Sequence, residues 1–299
     1  MSGLLDASPI ATPIDAPARK SRGPYRLARP IWCVPVLLFL AFFFVIPLVA
    51  NITRSAPPGA AASESAFFYY QKLLTDPYYA NVLWVTFKVA AITTIATLIV
   101  AYPVAYFMVR CAGRWNGLIV FFVIAPLLTS IIMRTFGWRV LLARRGVLST
   151  LLMNFGLVAR PPNLADEPIA VYIGLVHVLV PFMVLSITAV LQAVDVRLEE
   201  SARVLGAGRI RTFLSVTLPL SLDGITTGCI LVFVVTNGSF LTMLLLGGGK
   251  ITTLSLLIYQ QFNTTQDIAF AAAMGNMLML VAVICFALQF RLLTRRIKQ

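Results

Sequence analysis

Long apolar stretches, separated by short polar segments, recur along most of this 299-residue chain. A helix of about 20 apolar residues is long enough to cross the hydrocarbon core of a bilayer. We interpret six stretches in this way, and their approximate bounds are 31–50, 81–109, 117–135, 169–194, 225–246 and 269–293. The pattern therefore predicts an all-α polytopic membrane protein with six transmembrane helices and both termini on the same side.

The composition supports this class of protein. Hydrophobic residues make up 59% of the chain and charged residues only 12%, so polar side chains are too few for the surface of a soluble domain. Residues 1–30 are the exception, because they contain five prolines and a late run of basic residues. The chain is therefore predicted to consist of a disordered basic tail, 1–30, and a transmembrane domain, 31–299.

The distribution of basic residues predicts the orientation. The net charge is +13, and loops of bacterial membrane proteins that carry excess Lys and Arg face the cytoplasm. With both termini inside, 15 of the 24 basic residues lie on the cytoplasmic side and eight on the other, while Lys88 lies within a span. We therefore expect cytoplasmic termini, lipid as the surroundings and no nucleic-acid partner. The third loop contains five arginines, and because 137–157 is apolar we expect this loop to fold against neighbouring helices.

Residues suited to catalysis or metal binding are sparse. The chain has one histidine, His177, and its four cysteines are widely separated. The glycine run 247–249 precedes Lys250, but Ile251 stands where a phosphate-binding loop needs Ser or Thr. The sequence therefore predicts no catalytic residue, no metal site and no bound cofactor.

The fourth loop, 195–221, has the most informative pattern. Leu198, Ala202 and Leu205 recur at helical spacing among charged residues, which predicts a short amphipathic helix. Gly206 and Gly208 would then bend the chain, and the following Pro219 suits the first turn of the next helix. Two short helices joined by a glycine bend would present a charged knob to a soluble partner. An ordinary solvated loop is the alternative.

This loop resembles the EAA motif of permease subunits in bacterial ATP-binding-cassette (ABC) importers, whose pattern is E-A-A-x3-G-x9-I-x-L-P. The chain departs from the pattern at Ser201, in place of Ala, and at Val216, in place of Ile, and both changes preserve shape. The segments 131–138, 145–148, 154–157 and 246–249 are similar to the spermidine/putrescine group of these permeases. The positions expected to couple the chain to an ATPase are Glu200, Ser201, Ala202, Gly206, Arg209, Leu218 and Pro219.

The resemblance implies a fold, a location and partners. The fold is that of a type I ABC importer permease, with a cytoplasmic coupling helix between transmembrane helices 4 and 5, in the bacterial inner membrane. The partners are a second permease subunit that forms a heterodimer, two copies of a cytoplasmic ATPase and a periplasmic substrate-binding protein. The chain itself is then a transport subunit and not an enzyme, since ATP is bound and hydrolysed by the ATPase.

The substrate pathway is the least determined part. A polar cluster near the middle of the fifth span suggests that Asn237, Ser239 and Phe240 line the route, and hydrogen bonding between helices is the alternative. A polyamine, such as spermidine or putrescine, needs carboxylates or aromatic faces, yet the spans offer almost no acid. The sister permease could supply the charge, the binding protein could make the selection, or the cargo could be a related small solute. A secondary transporter or channel that does not use ATP is the alternative function.

Overall fold

The computed structural model describes residues 34–56, 67–156 and 162–297. These residues form thirteen α-helices, α1 to α13. The predicted tail, 1–30, lies outside the described residues. In chain order the helices are Val34–Arg54, Phe68–Thr75, Pro77–Arg110, Asn116–Leu128, Ile131–Leu142, Val147–Asn154, Pro168–Ala193, Val196–Val204, Arg209–Thr212, Leu218–Gly238, Phe240–Leu246, Leu254–Gln260 and Ile268–Ile297.

The chain divides into two compact units after Val49. Within the first unit, the described residues are the part of α1 up to Val49, and their side chains are exposed or half-buried. This part of α1 is rich in phenylalanine, and Phe39 and Phe43 stack with ring centroids 4.5 Å apart. The second unit contains all the remaining helices.

Five described helices are long and apolar enough to cross a membrane. They match the predicted first, second, fourth, fifth and sixth spans, with the fifth lengthened at its start to Arg209–Gly238. The prediction of a continuous third span was wrong, because the helical stretches Gly113–Leu128 and Ile131–Asn154 meet at 99°. Such a pair can cross the membrane only as a broken span. The described residues therefore provide five candidate spans, or six when the bent pair counts as one.

The break in the third span lies at Thr129, whose backbone is extended. Pro126 has no N–H to continue the helical ladder, and the Thr129 hydroxyl donates a hydrogen bond to the Pro126 carbonyl at 2.9 Å. Apolar residues continue on both sides of the break, and for this reason hydropathy alone did not reveal it. The chain leaves α4 sideways and forms α5 and α6.

Helix α7 lies at the centre of the second unit and packs against both α3 and α10. Its completely buried side chains include Met183 and Ile187. Gly224 and Gly228 of α10 face α7, and a Cβ atom on Gly224 would lie only 2.9 Å from the Ser186 carbonyl oxygen. Two small residues four positions apart form a sequence pattern that predicts close approach of another helix. These two glycines accordingly let α10 and α7 approach closely.

The arginine-rich third loop folds back on the bundle as expected, over its described residues. Leu142 is completely buried in the main hydrophobic core. The buried Ser149 hydroxyl of α6 lies 3.0 Å from the Ala143 carbonyl and 2.9 Å from the Pro162 carbonyl. Arg139 donates to the Leu245 carbonyl at 2.6 Å, which ties α5 to the end of α11.

Candidate functional site

The first candidate site is the 195–221 segment, which begins with α8. The Asp195 carboxylate caps this helix by accepting a hydrogen bond from the Arg197 N–H at 2.9 Å. The helix ends in a left-handed turn at Gly206, with φ of +88°, and the Ala207 N–H donates back to the Ala202 carbonyl at 3.0 Å. Glycine is needed here because a Cβ atom disfavours this conformation. The bend that the sequence predicts is therefore present.

The inward face of α8 carries an acid instead of an apolar residue. The Glu199 carboxylate accepts a hydrogen bond from Nε of Arg110, the last residue of α3, at 3.0 Å. The Glu199 side chain is only 4% exposed and the Arg110 side chain only 9%. Arg110 also donates from Nη2 to the Val194 carbonyl at the end of α7, at 3.1 Å. One arginine therefore joins the ends of α3 and α7 to α8.

Sequence reasoning selected Glu200 and missed both Glu199 and Arg110. Glu200 is exposed, and within the described residues it forms no ion pair of 4.0 Å or less. The missed signal is Arg110 at the end of a predicted span, because a basic residue that is drawn into the bundle requires a buried acceptor. Glu199 lies one position from the residue that the motif selects, and a rotation of about 100° around the helix axis turns it towards the bundle.

The apolar residues of the segment face outward. Val204 and Leu205 are each 88% exposed, and Ile210, beyond the glycine bend, is 78% exposed. Leu198 is also exposed, whereas Ala202 is half-buried. Exposed aliphatic side chains at the tip of a rigid helical turn are typical of a surface that contacts another protein. The predicted amphipathic helix therefore exists, but its apolar residues are at the surface.

The second predicted short helix is not separate from the fifth span. Arg209–Thr212 continues through a π-helical turn, Phe213–Thr217, directly into α10. The Leu218 N–H donates to the Phe213 carbonyl in this turn, and Pro219 follows without an N–H of its own. Pro219 therefore lies in the first turn of α10, as predicted, and α10 is continuous with the preceding turns over Arg209–Gly238. The π turn places Phe213 edge-on to Tyr102 of α3, with ring centroids 5.5 Å apart.

The remaining motif residues lie on the same segment with different exposure. Glu200, Ser201, Arg209 and Pro219 are exposed, while Leu218 is half-buried. The Ser201 hydroxyl donates to the Arg197 carbonyl of the preceding turn at 2.8 Å. The motif thus contributes an outer surface available to a partner.

The second candidate site is a cavity of about 390 Å³ in the second unit. Phe240 and Tyr259 stack on one another at its wall, with ring centroids 5.0 Å apart and planes inclined by 17°. Its other lining residues are Asn51, Arg54, Ser255, Ile258, Phe262, Asn263, Ile268, Ala271, Ala272 and Gly275. The cavity therefore combines an aromatic stack, two amides and one cation, and none of these lining residues is acidic.

A chain of polar contacts holds one side of this cavity. Nδ2 of Asn51 donates to Oδ1 of Asn276 at 2.7 Å, and Nδ2 of Asn276 donates to the Tyr70 hydroxyl at 2.9 Å. The Tyr70 and Ser55 hydroxyl oxygens are 3.0 Å apart. These bonds fasten the end of α1 and helix α2 to α13.

The predicted cluster of Asn237, Ser239 and Phe240 is divided between different surroundings. It does not lie in the middle of a helix, because α10 ends at Gly238 and α11 begins at Phe240. Asn237 lines a separate cavity of about 210 Å³ against α13, and its Nδ2 donates within α10 to the Phe233 carbonyl at 2.8 Å. The Ser239 hydroxyl donates to the Val235 carbonyl at 2.8 Å. Both of these bonds are local to α10, and of the three residues only Phe240 reaches the larger cavity.

The glycine run 247–249 forms a turn that is held by ionic contacts. Nζ of Lys250 lies 2.6 Å from Oε1 of Glu167. Gly248 has φ of +53°, and a Cβ atom there would lie 2.8 Å from the Asp166 carbonyl oxygen. The run therefore packs tightly against the backbone at Asp166. Among the described residues, no group of three metal-ligating side chains is assembled.

Comparison with known proteins agrees with these features. The family described as "Binding-protein-dependent transport system inner membrane component" matches residues 21–299. The spermidine/putrescine transport system permease protein PotB of Haemophilus influenzae is 34% identical over 228 residues, which are 75% of this chain and 80% of that protein. PotB of Escherichia coli is 35% identical over 208 residues, covering 70% and 76% of the two chains.

Solved structures show the same fold at low sequence identity. A chain of a bacterial ABC transporter for the acidic polysaccharide alginate superposes with a TM-score of 0.70 at 17% identity, covering 90% of this chain and 95% of that one. A chain of the MetNI methionine ABC transporter gives a TM-score of 0.56 at 13% identity, covering 74% and 98%. Fold and sequence agree, and the chain belongs to the family of inner membrane components of binding-protein-dependent transport systems.

Proposed function

We propose that this multi-pass inner-membrane permease forms one half of the translocation pathway of an ATP-driven importer for polyamines. The names of the PotB relatives support spermidine and putrescine as the cargo. A second permease subunit completes the pore as a heterodimer, two copies of a cytoplasmic ATPase drive it, and a periplasmic protein delivers the substrate. A structural neighbour was solved in complex with a substrate-bound periplasmic protein, which supports the last of these partners.

The exposed tip of the 195–221 segment is the observation that carries this proposal. Val204, Leu205 and Ile210 form an aliphatic surface beside the motif residues, and the Arg110–Glu199 pair fixes that surface to the bundle. In the proposed complex this tip is the coupling helix and lies in a groove of the ATPase. A switch acts only through contacts that differ between two states, so the tip has to be both exposed and rigidly attached.

The tip lies on the cytoplasmic side in this proposal, together with both termini. The excess of basic residues on that side supports this orientation. The Arg139–Asp166 and Lys250–Glu167 contacts then lie at the periplasmic end, where the binding protein docks.

The aromatic stack supplies the proposed surface of the pathway. Phe240 and Tyr259 present π faces to the cavity, and an ammonium group is attracted to such faces. Asn237 lies at the end of α10, and Ser239 lies in the break that turns Phe240 towards the cavity. These two residues therefore act on the pathway indirectly, through the position of Phe240.

Replacing Leu205 by Asp tests the proposal. The side chain is 88% exposed, so we expect the purified permease to melt as the wild type does, while ATPase retention and uptake are lost. The matched control is Phe155→Asp, since Phe155 is also highly exposed but lies in the third loop, just after α6, and this variant should retain the ATPase. Uptake of radiolabelled spermidine into vesicles, with and without ATP inside, separates the alternatives. ATP-independent uptake would favour a secondary transporter, and full ATPase retention in Leu205→Asp would contradict the coupling role.

A further inference from the structure

A second aromatic cluster lies where α2, α3 and α13 meet. The rings of Tyr79 and Phe270 are nearly perpendicular, at 81°, with centroids 5.0 Å apart. Tyr69 packs against the same Phe270 ring at 5.3 Å. Phe270 is only 2% exposed, so the cluster is a fixed part of the core and its geometry is stable.

The ammonium of Lys72 occupies this cluster. Its Nζ lies 5.1 Å from the Phe270 ring centroid and 5.7 Å from that of Tyr79, which are distances typical of cation–π contacts. The ion pairs among the described residues do not include Lys72. The two rings are therefore its principal attractive contacts, and they form a cage that accepts a primary ammonium at the end of a four-carbon chain.

Two carboxylates lie near Tyr79, one of the two rings of the cage. Asp76 ends α2 and Asp267 precedes α13, and both act electrostatically on Tyr79. Each uses Oδ1 to accept a backbone N–H, from Tyr78 at 2.9 Å and from Phe270 at 3.0 Å, respectively. The cage thus brings aromatic faces close to carboxylates, and carboxylates are the groups that the spans seemed to lack.

Lys72 has space to leave the cage. It lines an open groove of about 570 Å³ together with Gln71, Thr75 and Asp76. A rotation about its side-chain bonds would move the ammonium from the rings into this groove, where the Asp76 carboxylate can receive it. The cage can therefore be vacated without moving a helix.

Helices α2 and α13 connect the cage to the larger cavity. Phe270 immediately precedes Ala271 and Ala272, which line that cavity. Tyr70, two residues before Lys72, bonds to Asn276 in the polar network at the cavity wall. Binding in the cage is therefore placed to affect the wall of the cavity that contains Phe240 and Tyr259.

We propose that the Tyr79–Phe270 cage is a recognition site for the terminal aminobutyl group of a polyamine, and that Lys72 occupies it as an internal competitor. The lysine side chain is itself a butyl chain ending in an ammonium, the group found at both ends of putrescine and at one end of spermidine. An incoming polyamine displaces Lys72 towards Asp76 and takes its place between the rings. The inference rests on the proposed cargo for its biological meaning, but the cage chemistry requires only a primary alkylammonium.

Equilibrium binding to the purified importer complex in nanodiscs, without binding protein, tests the site. Removing the competitor in Lys72→Gln should lower the Kd for radiolabelled putrescine about three- to fivefold, and Tyr79→Leu should raise it by a similar factor. The double variant should bind as weakly as Tyr79→Leu, since the gain depends on the cage. The control Lys88→Gln removes an equal charge from an exposed position on α3, the helix that carries Tyr79, and should bind as the wild type does. Butylammonium should compete for the site, and 1,4-butanediol should not.

Lys72→Gln and Tyr79→Leu variants that are folded by size-exclusion chromatography and bind putrescine like the wild type would overturn the inference. If such a complex still imports polyamines, the proposed function stands and only the cage is refuted. If the wild type neither imports nor binds polyamines but butylammonium binding still responds to Lys72→Gln, the cage is supported and the cargo is wrong. If no ammonium compound responds to either variant, the cage is refuted whatever the cargo is.

Discussion

Arg110 and Glu199 form a buried ion pair, with 3.0 Å between Nε and Oε1, that joins the end of α3 to the inward face of α8. Arg110 also binds the final carbonyl of α7, so three elements meet at one guanidinium. The pair attaches α8 to α3 and α7, the two helices that pack most extensively on each other. In the proposed complex, a force applied to α8 by the ATPase would pass directly into those helices.

We predict that Arg110→Met strongly destabilises the permease and abolishes uptake. The substitution removes the buried partner of the Glu199 carboxylate and leaves it only the half-exposed Arg203 at 3.9 Å. Breaking a buried ion pair from one side costs roughly 3–5 kcal/mol. Thermal melting of the detergent-purified protein measures the loss. The matched control is Arg203→Met, because Arg203 lies 3.9 Å from the same carboxylate but is half exposed, where a pair contributes about 0–1 kcal/mol.

The double variant Arg110→Met with Glu199→Leu separates stability from coupling. Replacing both charges by apolar residues is often neutral or stabilising, so we expect melting close to that of the wild type. If α8 depends on the pair for its orientation, this stable protein will still transport poorly. A melting temperature unchanged in Arg110→Met alone would show that the pair has no structural role.

We predict that Gly206→Val weakens ATPase retention and uptake while the permease remains in the membrane. No atom lies within 4 Å of a Cβ built on Gly206, so the side chain has space within this chain. The left-handed conformation is the obstacle, with φ of +88°, because it costs an ordinary residue roughly 1–2 kcal/mol. Gly206→Asn is the control, since asparagine tolerates this conformation. Pull-down of the ATPase measures the effect, and retention equal to the wild type in Gly206→Val would exclude a requirement for this turn.

We predict that a single cysteine at Arg209 is inaccessible from outside the cell. In a variant whose native cysteines are replaced by serine, a membrane-impermeant maleimide should leave this position unlabelled in spheroplasts and label it in inside-out vesicles. A cysteine at Arg144, exposed on the turn between α5 and α6, is the opposite control and should be labelled in spheroplasts. The reverse pattern at the two positions would invert the topology.

The sequence was sufficient for features that depend on local patterns. Uninterrupted apolar length located five spans, and the spacing of Gly224 and Gly228 located the close approach of α10 to α7. The bend after α4 was missed because hydropathy records how apolar a segment is and not its direction. Glu199 was missed because a carboxylate among charged neighbours has the pattern of a solvated residue, and only the distant Arg110 explains its burial.

Contacts between separate helices were also beyond sequence reasoning. Phe240 was selected for its polar neighbours, yet the structure assigns those neighbours local bonds within α10. The partner that gives Phe240 its position is Tyr259 of α12, which has no distinctive sequence pattern. Pairing of this kind follows from how α11 and α12 pack.

We predict that Phe240→Ala and Tyr259→Ala each raise the KM for polyamine uptake by about three- to tenfold. Each substitution removes a cation–π surface, and such a contact contributes about 0.5–1 kcal/mol or somewhat more. The two rings stack at 5.0 Å, so removing either ring disturbs the other, and the double variant should be little worse than the poorer single one. Tyr259→Phe and Phe240→Tyr keep the stack and should transport nearly as well as the wild type. Initial rates of uptake at matched permease levels measure these effects. If both alanine variants keep the wild-type KM, the stack only packs α11 against α12, and the cargo follows another surface.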